Sequence, residues 1–85
     1  MAYKIKVTFP EGITPEHLGQ IFQHMGVSPD NPPEGNMTHE ETVENGRIVF
    51  VEEWASKAAF DTFFNQLAVP AHNTLGMPLP EIEAL

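Results

Sequence analysis

The segment Ile48-Val49-Phe50-Val51 puts apolar side chains on both faces of one extended strand. Such a strand needs cover on two sides. A single layer of helices shelters one side only. A second copy of the same sheet is the simplest cover for the other. The chain has 85 residues, enough for one domain spanning 1–85. Domains this short bury a modest share of their surface and commonly add a disulfide, a metal or a partner subunit. There is no cysteine, so disulfides and thiolate metal sites are excluded. Self-association is therefore the expected supplement.

The rest of the pattern completes one architecture. Tyr3, Ile5, Val7 and Phe9 alternate with Lys4, Lys6 and Thr8, which predicts a strand with one apolar face, ended by Pro10 and Gly12. Thr14 is an N-cap with Pro15 at the first helical position. Leu18, Ile21, Phe22 and Met25 make one stripe, and Gly26 stops the helix. A loop containing Pro29, Pro32 and Pro33 follows, which reads either as the shaped rim of a site or as a plain connector. Met37 to Val43 is polar and reads as an outer strand. Asn45-Gly46 is a type I′ hairpin turn, and the strand Arg47 to Trp54 returns from it. Ser56 caps a second helix with a stripe of Ala59, Phe60, Phe63, Phe64, Leu67 and Ala68. Pro70 kinks or restarts that helix, Gly76 ends it, and a short last strand lies around Glu81 to Leu85. The order βαββαβ predicts a ferredoxin-like α+β fold: an antiparallel sheet with two helices on one face.

Charge narrows the function. The formal net charge is −8, which repels phosphate backbones and anionic lipid surfaces, so neither nucleic acid nor membrane is an expected partner. No apolar run approaches the roughly 20 residues of a membrane span, and the N-terminus lacks the apolar core of a signal peptide. A cytoplasmic protein is expected. No Ser-His-Asp or Gly-x-Ser-x-Gly arrangement and no phosphate-cradling glycine pattern occurs.

The stretch Val51 to Phe64, VEEWASKAAFDTFF, resembles the W-x-S-x-x-A-F signature where the third strand meets the second helix in the dimeric α/β barrel superfamily. Within it the chain is most similar to the antibiotic-biosynthesis-monooxygenase-like (ABM-like) proteins. Trp54, Ser56, Ala59 and Phe60 carry the resemblance, which extends back to His39 and forward to the C-terminus. It implies a homodimer whose two sheets face each other, and a small cavity between sheet and helices. Members include cofactor-independent oxygenases, haem-degrading enzymes, polyketide cyclases and proteins of unassigned role. The haem-degrading members pair a tryptophan of the second helix with a downstream histidine and an asparagine of the first strand. Here Phe63 stands near the tryptophan position, the first strand has no asparagine, and only His72 matches. Members often continue the last strand beyond the point reached here by Leu85, so a short closing strand is expected.

The candidate residues follow. Trp54, the only tryptophan, is either core beneath the second helix or the wall of an aromatic pocket. Phe22, Phe63 and Phe64 are core residues that can also line such a pocket. His39 has Glu41 two residues on, on the same face of its strand, where a carboxylate can orient an imidazole for acid/base work. A solvated surface histidine is the plain alternative. His72 lies beyond Pro70, at a helix end that can reach a cavity mouth, or it simply complements the helix dipole. His17 and His24 are about 10 Å apart along their helix, too far to share a metal ion, and no metal site is expected. The expectation is a homodimer with an apolar cavity for an aromatic or polyketide-like molecule. It would be either a cofactor-independent monooxygenase with His39 and His72 as catalytic residues or a non-catalytic binder. Haem binding through His72 is a third reading.

Overall fold

The Asn45-Gly46 turn sets the register of the sheet. Both residues have positive φ, 52° and 77°, as a two-residue type I′ connection requires. The computed structural model describes residues 2–28 and 30–85; Met1 and the loop residue Pro29 lie outside the described residues. The turn joins β2 (Asn36–Glu44) to β3 (Arg47–Trp54). β1 (Tyr3–Thr8) and β4 (Glu81–Ala84) complete an antiparallel sheet of order β2-β3-β1-β4. Counting outward from the turn, Glu44 faces Arg47, Val43 faces Ile48 and His39 faces Glu52.

Three helical segments lie on one face. α1 (Pro15–Met25) is capped by Thr14, whose hydroxyl accepts the His17 N–H. His17 Nδ1 accepts the Thr14 N–H in return at 3.0 Å, so a histidine completes the capping box usually closed by Glu or Gln. Gly26, at φ 73°, ends α1. α2 (Lys57–Phe63) starts where Ser56 Oγ accepts the Ala59 N–H at 3.1 Å. It runs through a π-helical turn (Phe64–Ala68) into α3 (Val69–Leu75), closed by Gly76 at φ 68°.

The π turn is the chain's answer to Pro70. In an unbroken α-helix the proline ring would collide with the carbonyl four residues back. One widened turn relieves that contact without breaking the rod. It also rotates the faces that follow. Ala68, Ala71 and His72 turn inward, while Leu67, expected in the apolar stripe, is 39% exposed. The core joins Ile5, Val7, Phe9, Ile48, Phe50 and Trp54 of the sheet side to Leu18, Ile21, Phe60 and Ala71 of the helices.

The opposite face of the sheet corrects the opening inference. Val49 points away from the helices yet is 0% exposed within the single chain, and Ile48 and Phe50 are buried as well. Val49 sits between Thr42 and Thr8 in register. Lys6, opposite Val51, reaches across β3 to Glu44, opposite Arg47, with an Nζ–Oε1 distance of 2.9 Å. That bridge passes over Val49. An exposed ion pair adds little to stability, whereas burying a valine contributes about 1.5 kcal/mol or more. The lysine stem therefore matters more as a lid than as a charge. Only Val51 of the four apolar residues remains partly exposed, so this strand does not by itself compel a second copy.

The loop between α1 and β2 is held against the helical layer at Gly35. Its φ is +89°, its carbonyl accepts the Ala55 N–H at 2.8 Å, and a Cβ there would meet the Ala59 Cβ at 2.8 Å. Both the backbone conformation and the space select glycine. Gly35→Ala is expected to destabilise the fold by about 2 kcal/mol, from overpacking added to unfavourable positive φ. Urea denaturation checks this; an unchanged midpoint would mean the loop does not press on α2.

Candidate functional site

Four parts of the chain converge on one half-open cleft of about 320 Å³. β2 and β3 provide His39, Glu52 and Trp54; α1 provides Phe22 and Met25; α2 provides Phe63. The loop contributes Val27, Ser28, Pro32 and Pro33, so it is a rim rather than a plain connector. A wider depression of about 540 Å³ passes over the outside of α2 by Ala58 and Leu67, but no imidazole lines it.

The aromatic wall follows from the strand-to-helix junction. Trp54 ends β3 and is 1% exposed. Its ring lies 5.0 Å from Phe63 and 5.4 Å from Phe60, the latter edge-on. Ring pairs at these distances contribute about 0.5–1.5 kcal/mol beyond burial and hold one another in place. Trp54 is thus core and cleft wall at once. Phe22 stacks at 6.0 Å on the buried Phe50.

The polar chemistry centres on Glu52. Alternation along β3 puts it on the helix side with Phe50 and Trp54, and its side chain is 12% exposed. Oε1 accepts the Trp54 Nε1–H at 3.1 Å, and Oε2 lies 2.6 Å from His39 Nδ1. A carboxylate only accepts, so His39 Nδ1 is the donor. The His39 ring packs edge-on to Phe50 at 4.3 Å. Glu52 holds the imidazole above its ordinary value, first through this hydrogen bond and then through charge; burial opposes it, and Glu41 adds a smaller push upward.

Several expectations change here. The carboxylate beside His39 is Glu52 on the neighbouring strand, not Glu41 two residues along. Directly paired residues have Cβ atoms about 5 Å apart, closer than i and i+2 on one strand. No sequence motif marks Glu52, although counting from the hairpin turn pairs it with His39. His72 does not reach the cleft. It is 3% exposed, its Nδ1 donates to the Ala68 carbonyl at 2.7 Å, and its Nε2 is buried without a partner among the described residues. The π turn, which rotates α3 relative to α2, puts it there. Phe64 stacks on Phe60 at 5.6 Å and is not among the cleft residues. His17 is absorbed by the cap, and no cluster of three His, Asp or Glu among the described residues is placed to hold a metal.

The raised His39 value has a direction in stability. The pair contributes fully below about pH 6.5, the free imidazole value, and its contribution is lost as pH rises through the higher folded value. The gap in urea midpoint between wild type and His39→Gln is expected to be widest below about pH 6.5 and to narrow on going alkaline. A gap independent of pH would show that the pair carries no charge in the folded protein.

No family model matches the chain, and no curated protein matches it either. Among solved structures it is similar to a protein from Deinococcus radiodurans provisionally named an antibiotic biosynthesis monooxygenase. The superposition has a TM-score of 0.58 at 17% identity and covers 100% of this chain and 90% of that one. At that identity the likeness speaks for architecture alone: the chain shares its ferredoxin-like fold with that protein.

Proposed function

We propose that the chain forms a homodimer whose clefts each take a small aromatic or polyketide-like molecule, and that His39 acts there as the base of a cofactor-independent oxygenation. The observation that carries this is the 2.6 Å His39–Glu52 pair on the edge of a cleft walled by Phe22, Trp54 and Phe63. A flat apolar ring stacks on such walls, and a phenolic hydroxyl is the group an imidazole base can ionise. The phenolate is electron-rich enough to give electrons to O₂. One oxygen atom enters the ring as the second carbonyl of a quinone, and the other leaves as water with the two displaced hydrogens. No external reductant is needed. The protein's part is to orient the ring and to exclude water.

A second reading, a binder without chemistry, is favoured by the sparse polar lining: His39 and Glu52 are the ionisable groups of the cleft among the described residues. His72, sealed on the Ala68 carbonyl, is left out of the base role proposed here. Oxygen uptake with a panel of phenols and naphthols separates the readings. His39→Ala is expected to lower turnover about 100-fold or more while naphthol still quenches Trp54 fluorescence. Quenching without uptake in the wild type favours the binder, and equal rates in wild type and variant remove the base.

The dimer rests on the resemblance of the Trp54 region and on the outer sheet face. That face carries Lys4, Lys6 and Arg47, three of the four basic residues, against Glu40, Glu44, Glu53, Glu81 and Glu83, around the partly exposed Val51. Mixed charges about an apolar centre can match their own copy across a two-fold axis. Elsewhere the surface is predominantly acidic and repels itself. Light scattering at micromolar concentration is expected to give a dimer, and Val51→Glu a folded monomer. A wild-type monomer would sink the assembly.

A further inference from the structure

We infer that Glu52 is the positioning residue of the cleft: by accepting from both His39 Nδ1 and Trp54 Nε1 it fixes which ring nitrogen of His39 meets a ligand, and it ties Trp54 to the state of that histidine. The inference deepens the proposed function and rests on the same cleft, but its own test needs no substrate.

The geometry is specific. The two carboxylate oxygens are divided between two donors, Oε2 to the imidazole at 2.6 Å and Oε1 to the indole at 3.1 Å. An indole N–H can only donate, and Trp54 is buried, so its end of the network cannot reverse. Holding Oε1 there fixes the carboxylate plane and aims Oε2 at His39. Free imidazole exchanges its proton between its two nitrogens. Here the proton is kept on Nδ1, which leaves Nε2 as the nitrogen with a free lone pair in the neutral ring. A base that presents one defined lone pair at one defined place is what abstraction of a ligand proton requires. Phe50, edge-on to the imidazole at 4.3 Å, limits ring rotation. The charges acting on His39 are Glu52 from β3 and Glu41 from its own strand, and the α1 and α2 residues of the cleft, Phe22, Met25 and Phe63, are uncharged.

Alternation also argues against a role in folding alone: Glu52 occupies a core-facing position that an apolar residue would fill without cost. The shared carboxylate makes a second statement. When His39 gains or loses its proton, the charge beside Oε2 changes, and the hydrogen bond from Trp54 to Oε1 must respond. Trp54 is the only tryptophan, so its indole resonance is unambiguous.

Long-range ¹H–¹⁵N spectra of ligand-free, ¹⁵N-labelled protein test this. Wild-type His39 is expected above its titration midpoint as the Nδ1–H tautomer, and the Trp54 indole cross-peak is expected to follow pH with the same midpoint. Glu52→Ala removes the acceptor and should let the Nε2–H form appear. Glu52→Gln keeps an acceptor but removes the charge, so the midpoint should fall. If Glu52→Ala fails to fold, the Glu52→Gln midpoint still decides. A wild-type Nε2–H tautomer, an indole peak indifferent to His39, or a midpoint unchanged in Glu52→Gln would overturn the inference. None of these outcomes depends on whether a phenol is turned over. Where turnover is found, both variants should lower kcat more than they raise KM, as expected of a residue that acts through the base.

Discussion

A carboxylate on the core face of a central strand is the constraint around which this small domain is arranged. Glu52 lies between Phe50 and Trp54 along β3, with little water to solvate it. A mostly covered carboxylate left without hydrogen-bond partners costs about 1–3 kcal/mol, an appreciable part of the stability of a domain this size. The fold meets that demand with two donors on opposite sides, His39 from β2 and Trp54 from the end of β3. The polar centre and the aromatic wall are therefore one structure. Trp54 cannot be core packing alone, because its indole N–H has a task, and His39 cannot be a free surface histidine, because its Nδ1 is engaged.

The rest of the fold sets the boundaries of that centre. α1 and α2 close its apolar side, and the proline-bearing loop frames the opening, pinned by the close approach of Gly35 to Ala59. The sheet's other face is shielded differently. There the Lys6–Glu44 bridge spans β3 and covers Val49. The domain thus has an aromatic helix side, opened by the cleft, and a charged sheet side, where long side chains lie over a narrow apolar strip.

Local signals in the sequence were legible wherever one short-range rule decided the outcome. Thr14 and Ser56 are caps, Gly26 and Gly76 are stops, and Asn45-Gly46 is a tight turn. Each depends on backbone groups within a few residues, so neighbours in the chain suffice to specify it. The π turn was not legible in the same way. Pro70 announces a disturbance, but the choice between a kink and one widened turn depends on how α3 packs on α1, and that choice decides the fates of Leu67 and His72. The site was half legible. Its aromatic walls follow from Phe22, Trp54 and Phe63, while no local pattern marks the partner of His39, because the apolar run Ile48 to Val51 masks the alternation of Phe50, Glu52 and Trp54.

By itself, then, the amino-acid order determined the strands, the helix caps and stops, their succession and the hairpin register, because hydrogen bonds between near neighbours and the periods of helix and strand carry that information. Only the tertiary structure decided which charged groups meet in the cleft, which histidine is sealed and which reaches the cleft, and how Val49 is sheltered. Those outcomes depend on distances between residues far apart in the chain, and desolvation and hydrogen bonding act on distance in space rather than on separation along the sequence.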